Sequence, residues 1–114
     1  MSIGEYLKSI FSLEGKTILI SGATGGIGSA ISRGLAAAGA ETALCARNQQ
    51  KCRELADEIS AHGGAATAHA LDISDLDSIH RCVDEVMQRY GKIDVLFNVA
   101  GINRREGLLD VEPG

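Results

Sequence analysis

The residues best suited to chemistry lie in one short string, Ser21-Gly22-Ala23-Thr24-Gly25-Gly26-Ile27-Gly28. Glycines at 22, 26 and 28 follow an apolar run (KTILIS, 16–21) and open an amphipathic segment. Each has its own task. Gly22 lets the chain leave a strand in a turn that a Cβ would block. Gly26 lets the backbone approach a pyrophosphate, and Gly28 lets the following helix pack closely. The start of that helix offers free N–H groups and a positive dipole end to phosphate oxygens. Ser21, Gly22, Thr24, Gly26, Ile27 and Gly28 are therefore assigned to a nucleotide cofactor. No Gly-Lys-Ser/Thr follows, so this is not a Walker loop. A tight turn without a ligand is the competing reading, and the strand-loop-helix-strand context favours the cofactor.

The end of the second strand selects between cofactors. An NAD site wants an acidic residue there, about 20 residues beyond the glycines, for the ribose 2′-OH. This chain has Ala46-Arg47-Asn48 instead, and Glu41 lies at the opposite end of the strand. The forked guanidinium of Arg47 suits a 2′-phosphate. NADP is expected in preference to NAD, against the plainer alternative of a solvated arginine at a strand end.

The elements that must position these groups alternate regularly. Strands are expected over 16–21, 41–46, 65–71 and 93–98. Helices are expected over 26–38, 49–61 and 75–90. Ile27, Ile31 and Leu35 mark the apolar face of the first helix. Asn48 caps the second, whose stripe is Cys52, Leu55, Ala56 and Ile59. Ser74 is expected to cap the third, in a capping-box-like pair with Asp77, with Leu76, Ile79, Val83, Val86 and Tyr90 facing inward. The β-α-β-α-β-α-β order implies parallel strands with right-handed crossovers. The fold class is α/β, a Rossmann-like doubly wound parallel sheet of order 3-2-1-4, ending after its fourth strand. Residues 13–114 form the partial domain. Residues 1–12 form an extension in which Ile3, Tyr6, Leu7 and Ile10 recur at helical spacing.

Composition narrows the field. A net charge of −4 argues against a nucleic-acid partner, which would need a basic face. No apolar stretch approaches a membrane span, and the N-terminus lacks the pattern of a signal peptide. Cys45, Cys52 and Cys82 make an odd count without a CxxC pair. They read as reduced, buried small hydrophobes. His62, His69 and His80 form no metal-ligand spacing with them, so no metal site is assigned. A cytoplasmic location follows from this pattern.

Three spaced motifs resemble the short-chain dehydrogenase/reductase family. They are the Ser21–Gly28 loop, Leu71-Asp72-Ile73-Ser74 after the third strand, and Asn98-Val99-Ala100-Gly101 after the fourth. The resemblance runs from about Leu13 to the end. It implies that Asp72 contacts the adenine, with Ile73, Asn98, Ala100 and Gly101 completing the cofactor site. It also associates Arg47 with NADP. Val99 stands where the family usually has a second Asn, which implies one polar contact fewer near the cofactor. The stretches 11–16 and 101–105 resemble those of sugar-acid members such as gluconate-type dehydrogenases.

The resemblance implies an alcohol/carbonyl oxidoreductase whose catalytic Ser and Tyr-x-x-x-Lys lie beyond these residues. Four residues after Tyr6 comes Ile10, and four after Tyr90 comes Asp94. No catalytic residue is assigned, and the chain alone is expected to be inactive. A small-molecule substrate is expected only in a longer form. The alternative is a non-enzymatic nucleotide-binding or assembly module. The family's later strands and helices would cover the strand at 93–98. Without them its apolar edge is expected to drive homo-oligomerisation or other self-association.

Overall fold

A computed structural model of the chain describes residues 2, 3 and 10–99. Among them, β1 (Thr17–Ser21), α1 (Gly26–Ala37), β2 (Glu41–Ala46), α2 (Gln49–Ala61), β3 (Ala65–Ala70), α3 (Leu76–Tyr90) and β4 (Val95–Asn98) alternate. All strand pairs are parallel and the order is β3-β2-β1-β4, as expected. Several elements are a residue or two shorter than the apolar runs that announced them.

Every residue of β1 is buried, because both faces of this central strand are covered. Ile18 and Ile20 pack with Leu44, Cys52, Leu55 and Ile59 on the side of α1 and α2. Leu19 joins Ala43, Cys45, Cys82 and Val86 on the side of α3. This is the two-residue alternation of a strand dividing its side chains between two cores. Full burial of one Ile or Leu contributes about 1.5–3 kcal/mol, so the paired cores are the main source of cohesion.

The helices conform in part. Asn48 caps α2, its Oδ1 accepting from Lys51 N at 3.1 Å, and the stripe Cys52, Leu55, Ala56, Ile59 is buried as expected. In α1 the buried residues are Gly28, Ser32 and Ala36, while Ile27 is exposed and Ile31 and Leu35 are half-buried. The expected stripe was thus one position off. Small side chains let the helix axis approach the glycine loop and sheet, and the larger ones flank the contact.

α3 departs further. Its cap is Asp75, whose Oδ1 accepts from Asp77 N at 3.0 Å, and not Ser74. Ser74 instead donates to Asp72 Oδ1 through both N (3.0 Å) and Oγ (2.6 Å). The Asp72 carboxylate outcompetes the helix end for that hydroxyl. The buried residues of α3 are Ser78, Cys82 and Val86, with Ile79 and Tyr90 half-buried against the core. Leu76 and Val83, expected to face inward, are exposed. Polar contacts explain this rotation. Glu85 accepts from Nδ1 of buried His69 at 2.6 Å, and Thr67 Oγ1 bonds both His69 Nε2 and the Tyr90 hydroxyl at 2.7 Å. Seating Ser78 under Asp72 and Glu85 over His69 fixes which face meets the sheet.

β4 has β1 as its neighbour, and Val95 and Leu96 are 42% and 64% exposed. The approach to β4 is fastened by a reciprocal pair of bonds. Asp94 N donates to Thr17 O at 2.9 Å, and Thr17 N donates to Asp94 Oδ2 at 2.7 Å. That bond, with Lys92 at 2.9 Å, holds the Asp94 carboxyl below its ordinary pKa. A lowered folded-state pKa contributes stability above the ordinary carboxylate range and loses it as pH falls through the folded value. Asp94→Asn keeps an acceptor for Thr17 but cannot titrate. Urea titrations from pH 7 down to pH 3 should show the parent losing stability more steeply than the variant below about pH 4. Parallel curves would exclude Asp94 as a source of acid sensitivity.

Candidate functional site

The glycine loop follows β1 at the carboxyl edge of the sheet. Gly22 has φ +73°, a conformation that a side chain would strain. Its N–H and that of Ala23 both donate to Cys45 O, at 2.9 and 3.2 Å. A Cβ on Gly28 would collide with the Gly22 carbonyl oxygen, so the first turn of α1 rests directly on the loop backbone. A Cβ on Gly26 would meet nothing within 4 Å. The space in front of Gly26 is open, as a phosphate-approach position requires. Gly25 is the N-cap of α1 and makes no side-chain cap bond, so no capping side chain occupies the first-turn N–H groups.

Arg47 follows β2, Asp72 follows β3, and Asn98 ends β4, all on the same carboxyl edge. A cleft of about 380 Å³ opens there, lined by Gly22, Thr24, Gly25, Arg47, Leu71 and Ile73 among others. Its size suits part of a nucleotide. Ser21 and Asn98 are joined by a 2.7 Å hydrogen bond from Ser21 Oγ to Asn98 Oδ1. They line a second, apolar cavity of about 370 Å³ on the α3 side, and Ile73 borders both. The site thus straddles the point between β1 and β4 where the strand order reverses, the place where such sheets bind ligands.

Four of the expected residues, Gly22, Thr24, Arg47 and Ile73, line the first cleft. Gly26 and Ile27 are exposed at the start of α1, and Gly28 is buried beneath it. Asp72 is half-buried and turned into its own loop. Its pKa is lowered chiefly by the Ser74 bonds, with a smaller contribution from the Arg47 charge. Ala100 and Gly101 lie outside the described residues. Val99 is fully buried in the core beside α1 and α2, and its N–H donates to Ser21 O at 3.0 Å. An apolar residue there packs the sheet.

Sequence reasoning passed over three contributors. Asn48 lines the cleft as well as capping α2. Ser78 Oγ accepts from Asp72 N at 2.9 Å and so anchors the acidic loop. The Cys45 carbonyl holds the glycine loop. Adjacency to Arg47 could have pointed to Asn48. Nothing in the local sequence points to the other two, because both act across elements.

The sequence model of the family described as short chain dehydrogenase matches residues 16–113. A short chain dehydrogenase of Pseudocercospora fijiensis is 43% identical over 98 residues, covering 86% of this chain and 32% of its own length. A dehydrogenase/reductase from Sinorhizobium meliloti 1021 superposes with a TM-score of 0.82 at 33% identity, covering 95% of this chain and 43% of that one. A metagenomic short-chain oxidoreductase in complex with NADP gives 0.70 at 42% identity, covering 74% and 38%. A 3-ketoacyl-(acyl-carrier-protein) reductase from Brucella melitensis complexed with NADH gives 0.69 at 36% identity, covering 75% and 34%. The chain belongs to the short chain dehydrogenase family, whose members bind a nicotinamide nucleotide. It spans about a third of the length of the curated relatives it matches.

The two loop glycines separate by experiment. Gly28→Ala should cost about 1–3 kcal/mol or more in urea unfolding, because its Cβ enters occupied space. Gly26→Ala should stay within about 1 kcal/mol of the parent. Equal costs would mean that α1 does not rest on the Gly22 carbonyl.

Proposed function

We propose that this chain is the cofactor-binding portion of an NADP-dependent short-chain oxidoreductase acting on alcohol or carbonyl substrates. Arg47 carries the reading: it borders the cleft beside the glycine loop, at a strand end that offers no carboxylate. The pyrophosphate would lie against Gly26 and the first turn of α1, with Ser21, Gly22, Thr24, Ile27 and Gly28 shaping the loop. Arg47 would face the 2′-phosphate, with Asp72 and Ile73 toward the adenine. Asn98, Ala100 and Gly101 would complete the nicotinamide-side wall. The nucleotide supplies the hydride chemistry when bound. The chain's own share is to hold it and exclude water from the cleft. No helix among the described residues is long and apolar enough to cross a membrane. A cytoplasmic setting accords with three free, buried cysteines.

Titration with both nucleotides tests the assignment. The parent should bind NADP(H) more tightly than NAD(H), and Arg47→Asp should reverse the order. A charge-assisted pair of about 1.5–3 kcal/mol corresponds to roughly 10- to 150-fold in affinity. Equal affinities unaffected by the substitution would remove Arg47 from the site. Gly26→Val should abolish binding by filling the open approach while helical content persists. An unchanged titration would overturn the placement of the pyrophosphate.

Turnover needs an acid to protonate the developing alkoxide, and no Tyr of this chain has a Lys four residues on. The 114-residue chain should therefore leave nicotinamide absorbance unchanged over a panel of sugar acids and ketones. Its exposed Val95 and Leu96 should drive self-association, visible in sedimentation as dimers or larger species. A stable monomer would mean the β4 edge is covered locally. Clear turnover would mean the proton donor lies within the chain.

A further inference from the structure

Cys45 and Cys82 are 37 residues apart in sequence, yet their sulfurs share a hydrogen bond at 3.5 Å. Cys45 is on β2 and Cys82 on α3, both in the core beneath α3. The third cysteine faces the other way. Cys52 is in the core on the α1 and α2 side of the sheet, donating to Leu44 O at 3.0 Å. The sheet therefore separates one thiol from the other two. We propose that Cys45 and Cys82 form a redox-active dithiol that hydrogen peroxide closes to an intrachain disulfide, tying α3 to the strand beneath the glycine loop.

Access and asymmetry favour a defined order of events. Both side chains are buried, and Cys82, at 2% exposure, is the one that borders the apolar cavity with Leu71, Ile73 and Val83. The contact between the two sulfurs lowers the Cys82 pKa, and the same contact with burial pushes Cys45 up. Cys82 thiolate attacks one peroxide oxygen. An S–O bond forms, the O–O bond breaks, and the departing hydroxide takes a proton to leave as water. Cys45 sulfur then attacks the sulfenic sulfur of Cys82. The S–S bond forms, the S–O bond breaks, and hydroxide leaves as a second water with the Cys45 proton. Two thiols are oxidised by two electrons and one peroxide is reduced to two waters. The sulfurs need to close from 3.5 Å to about 2.05 Å for the bond to form.

The bond would act where the loop is held. The Cys45 carbonyl accepts from Gly22 N and Ala23 N, so a covalent tether on Cys45 restrains the residue that anchors the phosphate loop. The proposal does not depend on which nucleotide the cleft takes, or on its taking one.

The test is to expose the folded full chain to equimolar hydrogen peroxide and map it without reduction. Cleavage after Arg33, Arg47, Lys51, Arg53, Arg81 and Arg89 places the three cysteines on separate tryptic peptides. The expected result is a monomer mass lower by about 2 Da and one cross-linked pair carrying Cys45 and Cys82, both reversed by dithiothreitol, with Cys52 still free to alkylate. Cys52→Ala should form the same bond. Cys45→Ser should instead trap Cys82 as a sulfenic acid that reacts with dimedone. Should that variant fail to fold, the parent peptide map alone decides. A bond involving Cys52, a purely intermolecular disulfide, or no cross-link until urea is added would each overturn the proposal.

Discussion

Gly28 presses against the carbonyl of Gly22, and the carboxyl edge of the sheet is organised around that contact. It seats the first turn of α1 over the end of β1 with no side chain between them. Gly22 is fixed in turn because its N–H and that of Ala23 converge on the Cys45 carbonyl of the adjacent strand. The loop is thus held from below by β2 and from above by α1, through backbone alone. A loop held this way keeps its shape without a ligand. It leaves the unbonded face in front of Gly26 and the uncapped start of α1 free for an anionic group.

The two faces of the sheet solve the packing problem differently. On the α1 and α2 side the contact is almost wholly apolar, with small residues of α1 close to the sheet and the larger stripe of α2 filling the remaining space. On the α3 side the orientation is set by polar groups. A carboxylate can only accept, so His69 Nδ1 donates to Glu85, and in the neutral imidazole Nε2 accepts from Thr67, whose oxygen accepts from Tyr90. Such a chain favours one helix rotation, because another would take these partners from the ring nitrogens of buried His69. The same rotation brings Cys82 to Cys45 and leaves Leu76 and Val83 in solvent.

Val99 shows how a departure at a binding motif can serve the fold. Its side chain is buried and its N–H continues the β1–β4 contact at Ser21, while Asn98 beside it bonds the Ser21 hydroxyl. The polar and apolar members of this pair face opposite sides of β4. One completes the core and the other borders the cavity at the strand-order reversal. The outer strand meanwhile exposes Val95 and Leu96, surface that a central parallel strand would ordinarily cover.

The sequence by itself determined the features governed by neighbours in the chain. Alternating apolar runs and helical stripes set the order of elements, parallel crossovers set 3-2-1-4, and the glycine spacing with Arg47 marked the cofactor edge. The Asn48 cap and the α2 stripe were legible for the same reason, since both depend on residues within one or two turns. Tertiary structure alone decided the rotation of α1 and α3, because contacts across the sheet outweigh the local apolar pattern. Gly28 against Gly22 displaced the α1 stripe, and His69, Asp72 and Cys45 chose the face of α3. Asp72 drew Ser74 away from the helix end, leaving Asp75 to cap it. The Cys45–Cys82 pair and the Cys45 carbonyl under the glycine loop were invisible along the chain, since packing alone brings such distant groups together.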